Sequence, residues 1–283
     1  MRQRRGFTLI EVLIALVIMG IVTGAIFRLL NTSQRLSLAQ AEQVSLQSNV
    51  RTGSLVVPNE LRELNTVLGS LDPTQNDVTD ADDNAITYRA MRGLGFVCQA
   101  PGANELRLAK SSWTGLRDPD ATRDNLYLFF DDEADEDDDD RWLQVDITAA
   151  NYSDTACGAD PGYVLAVGAI PSVPVNTPVR LFELMKLELY ADGGGEWWLG
   201  ASSVSGGEIA PQPMLGPLTD DGFELEYLDS DGDPTADKTA IKSIRVTVRG
   251  LTDDAVRAGG SGAMGHPEEA LVSQVLLRNS IRP

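Results

Sequence analysis

The chain has 283 residues and a formal net charge of −19, from 42 acidic side chains against 23 lysines and arginines. With 42% hydrophobic residues it can build a core of one large domain or two small ones. An acidic composition without a basic stripe argues against nucleic acid bound by a basic patch.

Basic residues cluster at the start, where Arg2, Arg4 and Arg5 precede Gly6. Subtracting those three charges leaves the rest of the chain at −22. From Phe7 to Phe27 the sequence is apolar apart from Glu11, two threonines and two glycines. About 20 helical residues cross a hydrocarbon core, so this stretch is long enough to span a membrane and longer than a signal-peptide core. The arginines place Met1 in the cytoplasm and the residues after Arg28 on the far side. Glu11 interrupts the apolar run, at a cost of about 2.5–3.5 kcal/mol on insertion scales, so it calls for a partner. A cut between Gly6 and Phe7 would create one, the new α-amino group of Phe7. The two groups would lie about 6 Å apart in helical rise, which favours pairing between staggered neighbouring chains over pairing within one.

Arg5-Gly6-Phe7-Thr8-Leu9-Ile10-Glu11 resembles the class III signal of type IV prepilins and type II secretion pseudopilins. The resemblance implies that a prepilin peptidase cuts after Gly6 and methylates Phe7, and that Glu11 recruits and aligns subunits in a filament. It implies as partners that peptidase, other major and minor pilins or pseudopilins, and an inner-membrane assembly platform. It also implies a bacterial inner-membrane location with a periplasmic head, followed by entry into an extracytoplasmic filament. Residues 1–6 are then a leader, 7–30 the membrane and filament-core helix, 31–66 its amphipathic continuation and 67–283 a β-rich head. A plain uncleaved anchor is the alternative. Many major pilins carry a proline in this span; here Gly20 and Gly24 are the only soft points.

Farther along, Leu36, Ala39, Gln43, Leu46, Val50 and Val57 form a stripe on a proline-free helix that Pro58 is expected to interrupt. Residues 58–68 would make a further helical piece, proline being tolerated in a first turn. Strands are predicted at 85–91, 94–99, 105–110, 126–131, 141–147, 163–170, 179–191, 196–201, 223–229, 241–250 and 272–281. Residues 67–84 and 253–268 read as mobile loops. The fold class is therefore α+β: a long N-terminal hydrophobic helix packed on an antiparallel, sheet-rich head. Trp197-Trp198-Leu199-Gly200, Pro217-Leu218, the stretch 221–229 and Leu277-Arg278-Asn279 resemble the heads of PilW-like and PulJ-like minor pilins. The large tip subunit of secretion pseudopili usually lacks the glutamate, so Glu11 argues against that type.

Cys98 and Cys157 would form a disulfide in an oxidising compartment; two separate buried thiols are the alternative. Asp229, Asp231 and Asp233 alternate beside Gly232, a pattern that suits calcium, but the glycine precedes the third acid and no glutamate closes the loop. A solvated hairpin turn fits as well. The acidic run 131–140 reads as a solvated loop tip. His266 stands alone in a Gly-rich stretch, and Trp197 and Trp198 alternate across a strand, which sends one toward the core. P-loop, GxSxG, HExxH and CxxC signatures are absent from the sequence. The sequence reads as a structural minor pilin or pseudopilin with no cofactor, placed at initiation or near the tip. A membrane-anchored calcium- or ligand-binding module is one alternative and a secreted hydrolase with an unfamiliar site is another.

Overall fold

A computed structural model describes residues 8–67, 69, 72, 76–100, 102–131, 141–257 and 264–278. Gly6, Phe7 and the acidic residues 132–140 lie outside the described residues. By compactness the chain divides into two units, Met1–Ser48 with Leu251–Glu268, and Asn49–Gly250 with Glu269–Pro283.

One helix, α1 (Leu9–Arg62), runs unbroken for 54 residues, or about 80 Å at ~1.5 Å per residue. It does not break at Pro58, contrary to the sequence expectation. Proline removes a single backbone donor, and the flanking Val57 and Leu61 are almost wholly buried, which holds the backbone helical on both sides. The predicted stripe is buried only in its later half. Leu46, Val50 and Val57 are buried, whereas Leu36 and Gln43 are exposed.

The strands are β1 (Val78–Asp82), β2 (Ala85–Phe96), β3 (Glu105–Ala109), β4 (Asp124–Phe130), β5 (Arg141–Cys157), β6 (Asp160–Val167) and β7 (Pro178–Ala191). Then come β8 (Trp197–Ser203), β9 (Gln212–Leu228), β10 (Ser243–Leu251), β11 (Val256–Arg257), β12 (Met264–Gly265) and β13 (Glu268–Leu276). In the first unit β11 and β12 form a two-stranded ribbon where a loop was expected. Its approach is tied to the helix by the Asp254 N–H, which donates to the Glu42 carboxylate at 3.3 Å. His266 Nδ1 donates to the Thr252 carbonyl at 2.7 Å.

In the second unit the remaining strands join one sheet, eleven-stranded among the described residues, in which β1–β2, β2–β7, β3–β6, β4–β5, β4–β7, β5–β6, β7–β8, β8–β9 and β9–β10 pair antiparallel. β7 is its spine. One edge of β7 pairs with β2 from Ala85↔Glu188 to Phe96↔Pro178. The other edge is shared: β4 takes it from Val179 to Glu183, and β8 takes it from Met185 to Ala191. At the fork the Leu184 N–H donates to Ser205 Oγ, and the Leu184 carbonyl accepts from the Val204 N–H at 2.8 Å.

Several strands exceed the sequence expectation. Residues 85–91 and 94–99 were read as two strands, but β2 is continuous through a bulge between Met91 and Gly93. Asp80 and Asp82 sit in β1, a sheet-edge strand inside the stretch expected to be a loop. β5 extends ten residues past the predicted end, to Cys157, and β9 begins at Gln212.

The α1 segment from Asn49 onward packs on this sheet. Gly53 lets it come close, because a Cβ there would overlap the Leu215 side chain and meet Val248 at 3.3 Å. A second core lies between β4, β7 and the small β3–β6–β5 sheet, and includes Leu106, Leu108, Leu126, Leu128, Leu165 and Leu181. Cys98 and Cys157 are bridged, with Cα atoms 5.5 Å apart, inside the range the bond requires. Trp113 lies over the glycines of Gly93-Leu94-Gly95 and over Gly115, where added Cβ atoms would crowd its ring. Its Nε1–H donates to the Arg117 carbonyl at 3.0 Å.

Glu183 is a buried carboxylate in β7. It accepts from Arg92 Nε at 2.9 Å, Arg117 Nη2 at 3.2 Å and the Ser203 hydroxyl. Arg92 reaches on to Glu60 of α1 at 3.4 Å. Burial by itself would raise the Glu183 pKa, but the bonds from Ser203, Arg92 and Arg117 outweigh it and hold it below the ordinary glutamate value. Asp77 shows the opposite balance: burial pushes it up to about 6, only partly offset by the Asn65 N–H and by Arg89 and Arg180. Its Oδ2 accepts from Asn65 N–H at 2.7 Å, just past the helix end, and its carbonyl accepts from Arg89 N–H at 2.9 Å in β2.

Candidate functional site

The first turn of α1 is built by reciprocal bonds between Thr8 and Glu11. The Thr8 backbone N–H and hydroxyl both donate to Glu11 Oε2 at 3.0 Å, and the Glu11 N–H donates to Thr8 Oγ1 at 3.4 Å. This is a capping box, Thr-x-x-Glu, in which each side chain satisfies the other's backbone donor. Such donors are orphans at any helix start, and orphans in lipid are costly. Glu11 Oε1 has no hydrogen bond among the described residues, so half of the carboxylate is held and half is open. Thr8 is the residue that the sequence reading missed, although the capping spacing was there to be read.

From Leu9 to Phe27 the helix side chains are exposed, and α1 is the one helix among the described residues long and apolar enough to cross a membrane, by length and composition. Neither Gly20 nor Gly24 interrupts it.

A model of the prokaryotic N-terminal methylation motif matches residues 1–27. This N-terminus is a type IV prepilin-like signal. The match ends at Phe27, within the apolar part of α1, and no curated protein and no solved structure matches the chain. The prepilin-like motif places Thr8 and Glu11 inside the matched stretch, together with Gly6 and Phe7.

The other residues singled out from the sequence sit far from this segment in the chain. Asp229 Oδ1 accepts from the Asp231 N–H at 2.9 Å and the Asp233 N–H at 3.0 Å, so its carboxylate closes the turn between β9 and β10. Gly232 completes that turn at φ +86°, a region that favours glycine. Among the described residues no three of His, Cys, Asp or Glu converge in a way that would hold a metal. Trp197 and Trp198 are both half-buried, and Trp198 lies over Gly216. The C-terminal stretch returns to the helix: Leu277 is buried, and the Arg278 N–H donates to the Arg62 carbonyl at 2.7 Å, capping the last turn of α1.

Proposed function

We propose that the chain is a minor pilin or pseudopilin, a structural subunit cut after Gly6 and methylated on Phe7 by a prepilin peptidase. It is held in the inner membrane with its sheet-bearing head outside, and then drawn into a filament at initiation or near the tip. The observation that carries this reading is the prepilin-like motif joined without a break to an exposed apolar helix with Glu11 in its first turn. The capping box supports it: Thr8 satisfies one oxygen of Glu11 in lipid, and the other is free to receive a neighbour's terminal amine. A large head suits a subunit present in few copies and in contact with specific neighbours.

The experiment is co-expression with the prepilin peptidase and pilin genes of the native host, followed by mass spectrometry and filament purification. The mature chain is expected to begin at methylated Phe7. Glu11→Val is expected to be cut normally yet to be missing from sheared filaments. A product that still starts at Met1, or normal incorporation of Glu11→Val, would refute the reading.

A further inference from the structure

In the sheet-bearing unit a crevice of about 810 Å³ opens beside the bulge of β2. Five of the chain's 23 cationic side chains line it: Arg89, Arg92, Arg117, Arg180 and Arg278. That concentration stands out in a chain of net charge −19.

Three of the five are already engaged. Arg92 binds Glu183 and Glu60, Arg117 binds Asp124 and Glu183, and Arg278 binds Glu63 at 3.1 Å. Arg89 and Arg180 are different. Arg89 donates one hydrogen bond, from Nη1 to the Asn76 carbonyl at 2.7 Å, and its guanidinium lies 5.8 Å from the centroid of Phe182. Arg180 is exposed, makes no hydrogen bond or ion pair among the described residues, and rests 4.5 Å over the ring of Trp142. Phe182 is in turn stacked on Tyr127 at 4.4 Å. The Arg180 guanidinium is therefore placed over an aromatic ring with no hydrogen bond among the described residues, and Arg89, near a second ring, carries a single one. A planar, preorganised fork of this kind matches a carboxylate, and little side-chain entropy remains to be lost on binding.

The rim is apolar. Leu116 is fully exposed, Met91 is partly exposed, and the half-buried Leu94 lines the crevice with them. We propose that this crevice is a docking site for an acidic peptide segment of a partner protein, with carboxylates on Arg180 and Arg89 and intervening apolar side chains on Leu116 and Met91. A peptide fits better than a phosphate polymer, because Leu116, Met91 and Leu94 can take its apolar side chains and offer such a polymer nothing. The site belongs to the sheet-bearing unit and holds whether or not the chain enters a filament.

The test uses the full chain in non-ionic detergent at low salt and a fluorescent octapeptide alternating glutamate with leucine, read by polarisation. Saturable binding is expected, with affinity at least about tenfold weaker for a glutamine-leucine peptide. Arg180→Met keeps an unbranched stem near Trp142 and is expected to weaken binding about tenfold, with the far-ultraviolet circular dichroism of the free chain unchanged. Leu116→Asp, at a fully exposed position, is expected to weaken it as well. The proposal is overturned by an absence of saturation below about 1 mM, by equal affinity for the glutamine peptide, or by wild-type binding in Arg180→Met. Tripolyphosphate binding as tightly as the peptide would equally overturn it, by showing a general anion site.

Discussion

Asp77→Asn should make the protein more stable, and the gain should depend on pH. Asp77 ties Asn65, three residues past the end of α1, to β2, yet burial lifts its pKa from 3.8 to about 6. The folded chain therefore binds this proton more tightly than the unfolded chain does. Stability from this group rises as pH falls from about 6 toward 4, and above about 6 the charged carboxylate costs stability. A shift of about two pH units at ~1.4 kcal/mol each sets a ceiling near 3 kcal/mol. The amide keeps an oxygen to accept from the Asn65 N–H, while its NH₂ must find room near Arg89 and Arg180, so a net gain of about 1–3 kcal/mol is expected at about pH 7.5. Urea unfolding of the full chain in detergent would measure it. All four tryptophans, Trp113, Trp142, Trp197 and Trp198, lie in the sheet-bearing unit, so fluorescence reports on that unit. The gain should vanish near pH 4. A variant less stable than the parent at about pH 7.5, or a difference that does not change with acid, would show that the anion is worth more to Arg89 and Arg180 than burial costs it.

Glu183→Gln should lose about 1–3 kcal/mol in the same assay, because it removes the buried anion that Arg92 and Arg117 share and leaves them with Glu60 and Asp124 alone. The Glu183 pKa is lowered on folding, so the parent's advantage should be full above the ordinary glutamate range and shrink as pH falls through it. Gly93→Ala should cost about 1–3 kcal/mol, since the added methyl displaces the Trp113 ring, and a shift in tryptophan emission should accompany it. Reducing the Cys98–Cys157 bridge should lower stability by about 4 kcal/mol in the chain-entropy account, given its 59-residue separation; an unchanged urea midpoint would refute that assignment.

What could be read in the sequence followed chemistry that is local. β7 and β10 alternate apolar and polar residues with few breaks, β4 is a short unbroken apolar run, and all three were found to within about two residues. β1 was missed because Val78–Asp82 carries two aspartates on a sheet edge, where pairing needs no apolar face. The second half of β5 was missed because Ala149-Ala150-Asn151 and the polar residues after it are mostly exposed, and their register comes from β6 rather than from their own pattern. Pro58 misled because a local rule was overridden by burial on either side of it. At the N-terminus the motif is linear and was legible, including the glutamate that does not belong in lipid. The charged centres at Asp77 and Glu183 were not, since each is assembled from residues far apart in the chain.

The shared edge of β7 has a mechanical consequence. No uninterrupted zipper runs the length of that edge, because the partner changes at Leu184. A tear that begins at the outer end of β4 or of β8 meets the serine-stitched fork and must start afresh on the other side. Amide exchange in the two strands should accordingly behave as two separate openings.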